Sequence, residues 1–185
     1  MQPYTETLID QAEKSKVDDY MIVGAISDTH DNLPQVEKAV KYLNSQKVGL
    51  VLHAGDYVAG FVIPHFKALN CNLTGVFGNN DGDHELLRKR FGETTNCTIH
   101  EQFAKVEIDG YKIALLHGTQ TELLNAIVDS GYFDAVVHGH SHMHSVGKKG
   151  KTLAINPGEL CGYITGKSTL ALLDTAKGEA KIIEL

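Results

Sequence analysis

The sequence predicts an α/β protein in which two mixed β-sheets stack face to face with helices outside, and three observations point there. Short apolar runs at 21–26, 50–52, 113–116 and 135–137 are each cut off by Gly, Asp or Asn, the pattern of buried strands in α/β proteins. From Met21 the first half alternates strand, helix, strand, helix, strand, which calls for parallel pairing through crossovers. The second half then turns to hairpins, beginning at Asp109-Gly110.

Taken in order, the first strand runs over 21–26. Asn32 caps a helix that Pro34 helps to start, and Val36, Ala39, Val40 and Leu43 form its apolar face up to about Gln46. A strand at 49–53, a helix at 62–68, a strand at 72–76 and a short helix at 84–91 follow. Residues 103–108 and 111–116 flank Asp109-Gly110, whose positive φ angles suit a tight turn. A helix at 121–130 leads to a strand at 135–138. The tail reads as strands at 144–148, 152–155, 168–174 and 180–184. The Leu86-Leu87 and Leu123-Leu124 pairs read as ordinary core stripes. No internal repeat or low-complexity segment interrupts this order.

The chain has 185 residues, a length for one domain that buries roughly 70% of its unfolded surface. That domain spans 21–185, preceded by an amino-terminal extension, 1–20, with a weak helical pattern around Leu8, Ile9 and Ala12 and no expected chemical role. A net charge of -6 argues against nucleic acid as a tight partner, since phosphate contacts need a basic face. The three cysteines are odd in number and widely spaced, so they read as reduced thiols of a cytoplasmic protein. Acidic residues precede any hydrophobic run, and no stretch reaches the ~20 apolar residues of a membrane span, so neither a secretory signal nor a membrane partner is expected.

Five segments carry the chemistry: Asp28-Thr-His30, Gly55-Asp56, Gly78-Asn79-Asn80-Asp81, His117-Gly118 and His140-Ser-His142. Each falls where a strand should open into a loop, the position at which α/β sheets collect ligands. Any one alone is weak; a lone Gly-Asp is usually a turn. Their joint occurrence supplies carboxylate, imidazole and amide oxygens, an N/O set suited to Mn, Fe, Ni, Co or Zn rather than Mg or Ca. Two divalent ions ~3.5–4 Å apart require a bridging carboxylate, and Asp56 is the best candidate.

In that order and spacing the chain resembles the calcineurin-like metallophosphoesterases, specifically their small single-domain phosphodiesterase branch, over 21–185, including Asn156-Pro157-Gly158. The resemblance implies an αββα sandwich and two divalent metal ions, manganese first, with nickel, iron, cobalt or zinc as alternatives. It implies that Asp28, His30, Asp56 and His142 bind one ion, and Asp56, Asn79, His117 and His140 the other. The implied reaction is in-line attack of a metal-bridging hydroxide on a small phosphodiester, and family members often form homo-oligomers. Many members carry His where this chain has Asn80. An amide donates a hydrogen bond to a phosphoryl oxygen but supplies no proton, so general-acid help from that position is in doubt. Asp81 either orients Asn80 or a water, or caps a turn. His53 is either a support for the ligands or a core histidine, and His138, pointing to the opposite face from Val137, is structural.

Two other readings stand beside the phosphodiesterase. A non-catalytic scaffold of the same fold, like the retromer subunit, would have lost metal-binding histidines, and all four are present. A phosphomonoesterase would need extra cations at the phosphate, and the only arginines, Arg88 and Arg90, lie outside the ligand segments.

Overall fold

A computed structural model describes residues 21–185; the expected extension, with its helical pattern around Leu8, Ile9 and Ala12, lies outside the described residues. The order is β1 (Ile22–Ile26), α1 (Leu33–Ser45), β2 (Leu50–His53), a 3₁₀ helix (Gly60–Ala68), β3 (Asn72–Val76), α2 (His84–Gly92), β4 (Cys97–His100), β5 (Phe103–Ile108), β6 (Tyr111–Leu116), α3 (Thr121–Asp129), β7 (Ala135–Val137), β8 (Ser145–Lys149), β9 (Thr152–Asn156), β10 (Thr169–Asp174) and β11 (Glu179–Glu184).

The strands form a six-stranded sheet, β11-β10-β1-β2-β3-β4, and a five-stranded sheet, β5-β6-β7-β9-β8. Both are mixed: β1 to β4 pair in parallel, as do β6, β7 and β9, while the outer partners run antiparallel. Side-chain alternation sorts the core into layers. Val23 and Ala25 of β1 meet Ile113 and Leu115 of β6 between the sheets. The other face of the larger sheet, with Ile26, Val51 and Leu73, is covered by α1 through Val36, Val40 and Leu43, by the 3₁₀ helix through Ile63 and Phe66, and by α2 through Leu87 and Phe91. Ala114, Leu116 and Val136 face Val128 of α3 on the far side. The result is helix, sheet, sheet, helix.

Local signals explain the helix starts. The Asn32 side chain accepts from Gln35 N–H ahead of Pro34, and Asp83 does the same for Leu86 N–H, each satisfying an orphan donor of a first turn. The helix expected at 62–68 is 3₁₀ from Gly60, with Pro64 inside it; proline lacks the N–H an α-helix interior would use. The strand β4 went unpredicted, because its run is polar and only pairing with β3 gives it a ladder. The leucine pairs also depart from expectation: Leu87 is buried, but Leu86 and Leu123 are exposed, Leu123 by 51%.

Register decides where the site forms. Ile26, His53 and Gly75 lie side by side near the carboxyl ends of β1, β2 and β3, and Leu115, Val137 and Ile155 do so in β6, β7 and β9. Loops from six parallel strands therefore leave one edge of the sandwich together.

Candidate metal centre

Five of the seven expected ligands sit in left-handed backbone: Asp28 (φ 53°), His30 (φ 38°), Asp56 (φ 62°), His140 (φ 72°) and His142 (φ 62°). Non-glycine residues adopt this region rarely, and it tends to mark strained functional loops. It also answers how Asp28 and His30, or His140 and His142, two apart in sequence, face the same side: the chain has left the strand and curled. Glycines let the loops touch. A Cβ on Gly78 would lie 2.1 Å from Asp56 Oδ1, and one on Gly139 would lie 2.7 Å from Asp28 Oδ2.

Ligand-type atoms of Asp28, His30, Asp56 and His142 all lie within 4.8 Å of one another. His30 Nε2 is 3.5 Å from Asp56 Oδ2 and 3.9 Å from Asp28 Oδ1, and His142 Nε2 is 3.6 Å from that same Asp28 oxygen. These separations are too long for hydrogen bonds. Asp28 Oδ1 and His30 Nε2 are in fact buried without a hydrogen-bond partner, a costly arrangement for protein atoms alone. Two donors each about 2.1 Å from one ion would stand about 3.0–3.4 Å apart at right or tetrahedral angles, so the cluster fits a divalent cation with little movement.

On the other side of Asp56, His117 Nε2 lies 3.4 Å from Oδ2 and 3.0 Å from Asn79 Oδ1. Asp56 Oδ2 thus stands between His30 and His117, as a bridging oxygen must. The His140 ring packs against His117 at a centroid distance of 5.2 Å, and its backbone N–H donates to Asp28 Oδ2 at 3.2 Å. The structure brings all seven expected ligands to one edge.

The atoms behind the ligands fix their orientation. His117 Nδ1 donates to Ala54 O at 2.7 Å, which turns Nε2 toward Asp56 and Asn79. Burial would raise the Asp56 carboxyl, but His117 and the Asn80 donors hold it well below the usual carboxylate range. Asn80 donates twice to Asp56, from its backbone N–H to Oδ1 at 2.8 Å and from Nδ2 to Oδ2 at 2.7 Å. Asp81 bonds to backbone, as a turn-capping residue does, and reaches beyond its own turn. Its carboxylate accepts from the N–H groups of Asp56, Tyr57, Val58 and Gly78 at 2.7–3.1 Å, tying the second and third ligand loops together, and makes no hydrogen bond to the Asn80 side chain.

His53 is both buried and supportive. Gly55 N–H donates to its Nδ1 at 3.1 Å, so Nε2 carries the proton and faces Thr29 Oγ1 at 3.3 Å, while the Thr29 hydroxyl donates to Asp56 O. Burial pushes its pKa down to about 3, keeping it neutral in that chain of bonds. His138 follows β7 and packs beside Gly118, away from the ligands.

Sequence reasoning missed Glu159. It is fully buried, and its Oε2 accepts from His142 Nδ1 at 2.8 Å. Its carboxylate also takes the N–H groups of Ile164 and Thr165, the Thr165 hydroxyl and the Cys161 thiol. Burial alone would raise this carboxyl, yet His142 and the Thr165 donors hold it at about 2. The neighbouring Cys161 thiol is pushed up to about 12 by burial and by Glu159, so it stays a donor. Glu159 therefore presents His142 Nε2 toward the cluster, the carboxylate–histidine arrangement that supports metal sites. Its one sequence signal is its place after a strand end, three residues past Asn156.

A sandwich of two mixed sheets, with carboxylates and imidazoles converging across its edge, defines the class of metal-dependent phosphoesterases. The chain belongs to the calcineurin-like phosphoesterase superfamily, whose domain matches residues 21–178. It is 41% identical over 165 residues to a phosphodiesterase from Methanocaldococcus jannaschii, covering 89% of this chain and 99% of that one. It also matches the solved structure of an archaeal phosphodiesterase at a TM-score of 0.85 and 40% identity, covering 89% of this chain and 100% of that chain. Vacuolar protein sorting 29 from Cryptosporidium parvum shares the fold at a TM-score of 0.65 and 21% identity, covering 91% of this chain and 98% of that chain.

Proposed function

We propose that the protein is a metal-dependent phosphodiesterase acting on small phosphodiesters in the cytoplasm, with two divalent ions per chain, manganese first among Mn, Ni, Fe, Co and Zn. The observation that carries this is the pair of buried, unpartnered atoms, Asp28 Oδ1 and His30 Nε2, in a cluster with Asp56 and His142, together with the approach of both His30 and His117 to the same Asp56 oxygen at 3.5 and 3.4 Å. The 41% identity to a phosphodiesterase along nearly its whole length supports the diester. Asp28, His30, Asp56 and His142 hold one ion; Asp56, Asn79, His117 and His140 hold the other.

When bound, such ions stabilise charge on phosphoryl oxygens and lower the pKa of the attacking water. The chain's own residues set the stage for that. Asp56 places one oxygen between both ligand groups, and Asn80 keeps that carboxylate from rotating. Asn80 is exposed at the mouth of the site and donates a hydrogen bond to the phosphate, while Asp81 acts through the loops it joins. His53, Glu159 and the Ala54 carbonyl keep imidazole lone pairs and the Asp56 turn in place. Residues 21–185 form the catalytic domain and 1–20 an extension of it.

A diester is favoured over a monoester because the cations near the site are already engaged. Arg88 pairs with Glu101 at 2.8 Å and Arg90 with Glu93 at 2.9 Å, leaving neither to meet a second phosphate charge. A scaffold role is disfavoured by the complete ligand set. The test is to strip the protein of metal, confirm this by elemental analysis, and assay mono- and diesters with each ion added back. Turnover of diesters should return with metal, manganese giving the highest rate. Full activity in the stripped protein would contradict the reading.

A further inference from the structure

Beside the metal centre, beyond Asn79 and His117, lies a cavity of about 210 Å³. The loops that hold those two ligands form its inner edge. Part of its wall is a stacked pair, the Phe77 and His84 rings lying 4.0 Å apart at 7°, with Phe77 itself buried. Leu123 of α3 closes the side and is 51% exposed, an apolar surface left uncovered on a helix that packs on the core through Leu124, Ile127 and Val128. An apolar cavity of about 150 Å³ is enough to hold benzene, so this one accommodates a one- or two-ring group and nothing much larger.

The wall also carries uncharged polar side chains. Gln102 and Gln120 line it, and among the described residues neither carboxamide makes a side-chain hydrogen bond, so both are free to donate and to accept. Glu101 also lines it, its carboxylate paired with Arg88 at 2.8 Å, and no lysine or arginine is among the described residues that line it. The amino end of α3 points N–H groups here, but Glu122 already occupies its first turn and complements that end. Such a surface accepts a planar, uncharged group and offers an additional anion no unpaired cation.

We propose that this cavity is the subsite for one ester group of the substrate, an uncharged aryl or nucleoside-type ring system, with Leu123 and Gln120 as its specificity-determining residues, and that it disfavours a group bearing a second phosphate. This rests on the phosphodiesterase reading, since the phosphate of the same molecule would lie at Asn79 and His117. It deepens that reading by naming the substrate class.

The test measures binding directly, by calorimetry on manganese-loaded protein, with four phosphate monoesters as probes: methyl phosphate, phenyl phosphate, thymidine monophosphate and thymidine bisphosphate. In the wild type, phenyl phosphate and thymidine monophosphate should bind at least tenfold more tightly than methyl phosphate, and the bisphosphate should lose most of that gain. Leu123→Trp, which fills the cavity from an exposed position, should erase the tenfold preference while leaving methyl phosphate within twofold. Gln120→Arg should favour the bisphosphate over the monophosphate by at least threefold relative to wild type. Equal affinities for methyl and phenyl phosphates in the wild type would overturn the proposal, as would a Leu123→Trp loss shared by methyl phosphate. Turnover of bis(p-nitrophenyl) phosphate with and without metal, on the same preparations, reports separately on the phosphodiesterase reading; if that fails while the affinity order holds, the cavity stands as a binding site without diesterase chemistry.

Discussion

Replacing Glu159 by Gln changes one atom at a fully buried position, and the structure offers the new amide no good orientation. If its NH₂ group faces His142, the ring must accept at Nδ1 and carry its proton on Nε2, which removes the lone pair aimed at Asp28 and His30. Loss of such a supporting carboxylate typically costs ~10–100-fold in metal affinity. If the amide is turned the other way, its NH₂ meets the N–H groups of Ile164 and Thr165, now on Oε1. Ile164 N–H can shift to Oε2, 3.2 Å away, but Thr165 N–H is left without an acceptor at a cost of about 1–3 kcal/mol, and at ~2–4 °C per kcal/mol for a chain of this size the melting temperature falls by roughly 2–12 °C. Glu159→Gln should therefore lose manganese affinity, thermal stability or both, measured by calorimetric titration and by melting the metal-free protein. A variant that melts with the wild type and binds manganese as tightly would refute the reasoning.

Asp56→Asn should reduce turnover more than Asn79→Ala, because it removes charge shared by both ligand groups while Asn79 serves one; equal losses with metal occupancy checked would deny Asp56 the bridge. Asn80→His should raise rates selectively for diesters with poor leaving groups, since a placed general acid contributes ~10²–10⁴-fold and an amide gives none; a wild-type rate already insensitive to leaving-group pKa would mean that another group supplies the proton. His53 is held neutral down to about 3, below the ordinary 6.5 of a histidine, so the unfolded chain takes up a proton there first. The stability it supports is intact above pH 6.5 and drains away as pH falls toward 3, by up to about 1.4 kcal/mol per unit. The advantage of wild type over His53→Gln in denaturant titrations should shrink between pH 7.5 and pH 4, and a constant difference would contradict the assignment.

What the sequence made legible follows from how its signals are written. Ligand residues stood out because Asp, Asn and His are the side chains that both bind metal and tolerate left-handed backbone, so chemistry and turn coincided at the same positions. Strands buried on both faces, such as β1 and β6, announced themselves as apolar runs. By contrast β4, with Thr98 and His100 exposed on it, has its strand character only through its neighbour β3. Glu159 was invisible for a related reason: its partner His142 is 17 residues away, joined by the meeting of two loops rather than by spacing. Leu123 and Leu124 look identical in sequence, and only the helical turn between successive side chains, set by which face of α3 meets the sheet, separates the one that packs from the one that faces the cavity.

The left-handed backbone at Asp28, His30, Asp56, His140 and His142 also governs how this site should be dissected. Alanine at any of these positions removes a ligand and at the same time asks a β-carbon residue with no polar side chain to hold a conformation that Asn, Asp and His adopt far more readily. An alanine scan would then merge lost coordination with a relaxed loop, and the five positions would look more alike than they are. Asn at each of the five keeps the conformation and changes the donor, so differences among those variants would read out coordination itself. Gly removes the donor as alanine does but accepts the positive φ, so the gap between the Ala and Gly variants would measure how much of the metal affinity depends on the loop keeping that bend.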